Sequence, residues 1–91
     1  MAERVTITVN GLVQGVGFRW HARRQATQLG LDGTVRNLPD GKVHIVVEGE
    51  RVALERFLAW TRRGPSRAEV RGVEAAWGEA EGRFGGFTII G

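Results

Sequence analysis

The sequence predicts an α+β sandwich, with two helices covering one face of an antiparallel sheet. Two apolar patterns and their punctuation predict it. Val5, Ile7 and Val9, and then Val43, Ile45 and Val47, alternate with polar residues, the period of a half-buried strand. Phe18, Ala22, Ala26 and Leu29, and then Leu54, Phe57, Leu58 and Thr61, recur at helical spacing. Glycine- and proline-bearing breaks separate these runs at Gly30, Pro39-Asp40-Gly41 and Gly64-Pro65-Ser66.

In chain order, the first strand covers Val5 to Asn10 and leads into a turn at Asn10-Gly11. The first helix runs from Phe18 to Leu29, and Gly30 stands where a left-handed residue ends it. Leu31 to Leu38 and Val43 to Glu48 make a hairpin around the Pro39-Asp40-Gly41 turn. The second helix spans Arg51 to Arg63 and stops at Gly64-Pro65-Ser66. Val70 to Trp77 is a fourth strand, Glu79 to Gly82 a polar connection, and Phe84 to Ile90 a last strand. The order βαββαβ is the split arrangement of ferredoxin-like folds. Residues 1–91 are expected to form a single domain, because so short a chain has little room for a second core.

Composition narrows the chemistry. The chain has no cysteine, which excludes disulfides, thiolate catalysis and cysteine metal sites. No apolar run approaches the roughly 20 residues of a membrane span. Strand pattern begins almost at Met1, so no signal peptide is expected and the cytoplasm is the expected compartment. All but one of the 13 basic residues are arginine, at a net charge of +3. Scattered as they are, most read as a compositional bias rather than a polyanion footprint. His21 and His44 lack metal-ligand spacing, so no metal site is expected. Asp32, Asp40, Glu48, Glu50 and Glu55 form no evident acid–base pair, and Trp60 and Trp77 read as packing residues.

Two positions stand out. Gly15 and Gly17 in Gln14-Gly15-Val16-Gly17 can turn successive N–H groups inward as an anion nest, or can serve as a plain structural turn. Arg19 follows in the first helical turn, where a cation opposes the helix macrodipole. An anion seated between the guanidinium and the free N–H groups would resolve that conflict. The segment is not a Walker A loop, since Phe18-Arg19-Trp20 replaces the Gly-Lys-Ser/Thr run, nor a dinucleotide fingerprint, since Trp20 falls at the third glycine. The second position is Asn37, near the end of the second strand. Its amide can hold a water by donating and accepting at once, or can cap its own backbone in the turn. The fold order could bring it towards the loop after the first strand.

Val9-Asn10-Gly11-Leu12-Val13-Gln14-Gly15-Val16-Gly17-Phe18-Arg19 resembles the first signature of the acylphosphatases. Gly33-Thr34-Val35-Arg36-Asn37, followed by Gly41, Val43 and Gly49, resembles the second. The likeness covers essentially the whole chain. Thr34 stands where many members carry an aromatic residue, a difference that touches packing or the rim of the site. The resemblance implies that N–H groups of Gln14, Gly15, Val16, Gly17, Phe18 and Arg19 cradle a phosphate, that the Arg19 side chain binds it, and that Asn37 orients the attacking water. It implies hydrolysis of acyl phosphates to carboxylate and inorganic phosphate, without metal or cofactor.

The expected protein is a stand-alone monomer with no nucleic-acid or membrane partner. A non-catalytic phosphate-binding or RNA-binding ferredoxin-like module is the alternative. RNA modules of this shape stack bases on aromatic residues of the central strands. Here Thr6 and Thr8, and His44, Val46 and Glu48, occupy those places.

Overall fold

The computed structural model describes residues 2–91. Its elements are β1 (Glu3–Leu12), α1 (Phe18–Gln28), β2 (Asp32–Asn37), β3 (Val43–Gly49), α2 (Arg51–Arg63), β4 (Glu69–Glu79) and β5 (Phe87–Ile89). The strands form one sheet in the order β4-β1-β3-β2-β5. Val5, Ile7 and Val9 of β1 and Val43, Ile45 and Val47 of β3 are fully buried on one face. Both helices lie on that face. Phe18, Ala22 and Ala26 of α1 join the core, as do Leu54, Phe57 and Trp60 of α2. Their rings interlock, with Trp60 5.2 Å from Phe18 and 6.0 Å from Phe57, and Phe57 6.0 Å from Phe87 of β5.

The helix ends follow the expected local chemistry. Gly30 adopts φ +71°, its N–H donates to Thr27 O at 3.1 Å, and the Leu31 N–H reaches Ala26 O at 2.9 Å. That pair of bonds is the Schellman closure, and it places Leu31 back on the core. At the end of α2 the Gly64 N–H donates to Trp60 O at 2.8 Å.

Three expectations need correction. The turn at Asn10-Gly11 is a bulge rather than a strand end: the register of β1 against β4 shifts there, and β1 continues to Leu12. Gly11 lies so close to β4 that a Cβ would stand 2.1 Å from Glu69 O, so only glycine lets the strands stay paired. The sheet is also mixed rather than wholly antiparallel. Pairs β4–β1, β1–β3 and β3–β2 are antiparallel, but β5 runs parallel to β2. The alternation of directions forces this: a strand that turns back after β4 runs the same way as β1 and β2. It begins at Phe87 rather than Phe84.

Residues 80–86 make that crossing, and Glu48 holds them. Its nearly buried carboxylate accepts from Arg4 Nε at 2.8 Å, from the Glu81 N–H at 2.8 Å and from the Gly82 N–H at 3.0 Å. Burial pushes its pKa up, but the donors outweigh it and the group ends below the ordinary glutamate value.

Candidate active site

Strand register brings the two singled-out segments together. Val9 of β1 pairs with Val43 of β3, and Val43 pairs with Asn37 of β2. Asn37 therefore closes the row beyond which β1 passes into the loop preceding α1. Gly15, Gly17, Phe18, Arg19 and Asn37 line one cleft of about 210 Å³, together with Val13, Trp20 and Ile89.

The loop turns its side chains away and leaves main chain facing the cleft. Val16 packs against the core and Phe18 is buried in it. The Gln14 amide bridges to the neighbouring hairpin, Nε2 donating to Leu38 O at 2.8 Å and to Lys42 O at 2.9 Å. Gly15 and Gly17 adopt φ +74° and +78°, the left-handed conformation that an inward-facing run of N–H groups requires. Gly17 is also the N-cap of α1, with no side-chain capping bond and no acidic residue in the first turn. The His21 N–H, donating to Gly17 O at 3.0 Å, is where the helical ladder begins. Among the described residues no other main-chain group pairs with the N–H groups of Gly15, Val16 or Gly17. This end of α1 can stabilise an anion by hydrogen bonds and by its dipole at once.

Arg19 is partly exposed and pairs with no Asp or Glu side chain among the described residues; its Nη1 donates to the main-chain oxygen of Gly91. The parallel pairing of β5 brings this contact about. It carries the chain past Ile89 to the end of the sheet where β1 leaves. Asn37 Oδ1 is buried and accepts no hydrogen bond, the one such side-chain atom among the described residues. An unpaired buried amide oxygen costs about 1–3 kcal/mol.

Other expected features lie elsewhere. Thr34 pairs with Val46 and Thr88, one residue out of phase with buried Val35, so it faces the open side of the sheet, away from the cleft. His44 is on that open side too, between Thr8 and Arg36. Burial, then the Arg36 charge, holds its imidazole below the ordinary value. A wider hollow of about 650 Å³ near the start of α2 is lined by Glu3, Glu50, Arg51 and Trp77. Its aromatic face already carries a cation, the Arg51 guanidinium 3.9 Å from the Trp77 ring. Sequence reasoning passed over Trp20, whose only signal was its place beside Arg19.

Residues 5–89 match the acylphosphatase family model. The chain is 47% identical over 88 residues to an acylphosphatase of Thermococcus kodakarensis, covering 97% of this chain and 96% of that one. The crystal structure of acylphosphatase from Bacillus subtilis superposes with a TM-score of 0.93 at 32% identity, over 97% of this chain and 98% of that one. An acylphosphatase structure from Coxiella burnetii gives 0.88 at 34% identity, over 98% and 93%. By fold and by relatives, then, this is a small α+β hydrolase. The chain belongs to the acylphosphatase family, and its reaction is the hydrolysis of acyl phosphates.

Proposed function

We propose that the phosphoryl group sits in the Gln14–Arg19 loop, that Arg19 stabilises its transition state, and that Asn37 places the attacking water. The observation that carries this reading is that Asn37 and uncapped Gly17 line the same cleft as Arg19. The substrate's chemistry makes so sparse a site sufficient. Its leaving group is a carboxylate, stable as an anion because carboxylic acids have pKa values of roughly 4. No general acid is needed to protonate it. What remains is to hold the three equatorial oxygens and to align a water behind phosphorus. The main-chain N–H groups and the planar guanidinium meet the oxygens where negative charge is spread. The Asn37 amide hydrogen-bonds the water and so fixes its lone pair towards phosphorus. The proton lost on attack passes to a phosphoryl oxygen.

In this reading the reaction needs no metal ion or cofactor. Residues 1–91 work as a single domain and as a monomer in the cytoplasm, without a nucleic-acid partner. The test is hydrolysis of benzoyl phosphate in EDTA. Wild-type protein turns over, while Arg19→Ala loses about 100-fold or more, the scale of removing a transition-state donor. Activity that EDTA abolishes and Mg²⁺ restores overturns the metal-free mechanism. Full activity in Arg19→Ala overturns the assignment of the phosphate to this loop.

A further inference from the structure

We propose that Trp20 is the specificity-determining residue of the acyl group: its ring forms the wall along which the acyl part of the substrate lies, favouring aromatic over acetyl substituents. The inference rests on the phosphate placement proposed above. The cleft of about 210 Å³ is smaller than the ~300–1,000 Å³ typical of pockets that enclose a whole ligand. Once a phosphoryl group fills its polar end, a bulky acyl group has to leave across the rim. The polar lining of the cleft is Gly15, Gly17, Arg19 and Asn37, and its apolar lining Val13, Phe18, Trp20 and Ile89.

Of the two aromatic residues in that lining Phe18 is buried in the core, whereas Trp20 is 46% exposed. Indole is among the side chains with most to gain from burial, so an open face beside a substrate cleft is costly unless something covers it. The ring is held in place. Its edge meets the His21 ring at 4.9 Å in a T-shaped contact, and the Arg24 guanidinium lies 5.6 Å from its centroid. A platform fixed from two sides loses little freedom when a flat acyl group packs on it. Trp20 lies immediately after Arg19, so a group bonded to a phosphate gripped there starts within reach of the indole. Trp60 and Trp77 lack this combination, since neither lines the cleft.

The experiment compares kcat/KM for benzoyl and acetyl phosphate in wild type, Trp20→Ala, Trp20→Phe and Arg19→Ala. The expected result is a benzoyl-to-acetyl ratio about five- to tenfold lower in Trp20→Ala, carried by KM, which is the scale of one aromatic contact. Trp20→Phe keeps the ratio within about threefold of wild type, and inhibition by inorganic phosphate is unaltered in both. A Trp20→Ala ratio within about threefold of wild type overturns the proposal, as does a Phe variant that loses as much as the Ala variant. Arg19→Ala separates the two readings. If it is inactive while Trp20→Ala keeps the wild-type ratio, only the acyl wall fails; if it stays active, the phosphate placement fails first.

Discussion

Gln14 is bonded to Leu38, its Nε2 donating to the Leu38 carbonyl at 2.8 Å. The bond joins the Gln14–Arg19 loop to the residue directly after Asn37, so one side chain ties together the two segments that line the cleft. Both carbonyls that Gln14 reaches also accept main-chain bonds, Leu38 O from the Gly41 N–H and Lys42 O from the Leu38 N–H. Removing the amide leaves neither carbonyl orphaned. Gln14→Ala is therefore expected to cost only about 1 kcal/mol of stability. Turnover should fall by more, roughly tenfold or beyond, because the reacting partners are no longer held in line. Chemical denaturation and steady-state kinetics on the same preparation separate the two effects.

Asn37 separates stability from activity in the opposite sense. Its Oδ1 is buried without a donor, so Asn37→Ala removes an unsatisfied group rather than a bond. The variant should melt no lower than wild type while losing most of its turnover, with inhibition by inorganic phosphate largely preserved. A calorimetric scan beside an activity assay decides it. A lower Tm together with wild-type turnover would count against the water-orienting role.

The glycines divide by what surrounds them. At Gly15 a Cβ meets no atom within 4 Å, and the obstacle is φ +74° alone. Gly15→Ala should cost about 1–2 kcal/mol, the penalty of a left-handed L-residue, and weaken phosphate binding as the loop relaxes. At Gly33 a Cβ would stand 2.0 Å from Val46 O, so alanine there forces β2 and β3 apart. Gly33→Ala should yield little folded protein. Thermal melts of the two variants, with phosphate titrated into the first, check the contrast.

Glu48 governs the acid limb of stability. Its carboxyl is held below the ordinary 4.5, so the unfolded chain binds its proton first as pH drops. The stabilisation is complete above the ordinary glutamate range and is lost as pH falls through the lower, folded value. Glu48→Gln should be less stable than wild type at neutral pH and show a flatter decline below about pH 5. Urea midpoints across pH 3 to 7 measure both. Equal slopes in the two proteins would mean that another carboxylate carries the acid transition.

Much of this was legible from local chemistry. The alternation in Val5–Val9, the closure at Gly30 and the glycines of the loop each act within a few residues, and each took its expected form. Contacts between distant segments were not legible. The bulge at Gly11 depends on the approach of Glu69, and the parallel pairing of β5 depends on the direction β4 leaves free. Thr34 shows the same limit from the other side: its spacing fits the second motif, yet strand phase turns it away from the cleft. Trp20 carried no functional signal in the sequence because exposure beside a cleft is a property of the assembled surface.

In the proposed phosphate loop Gly15 and Gly17 line the cleft, while the side chains of Gln14, Val16 and Phe18 turn to the hairpin and the core. Genetic scanning is consequently blind to half of such a binding site. Replacing Val16 or Phe18 would register as a folding defect, and a silent result at Gln14 would say nothing about the amide bonded to it. Exchanging single peptide N–H groups for ester oxygens by chemical synthesis deletes one donor at a time while every side chain stays in place. That is the form of mutagenesis suited to a grip made of backbone.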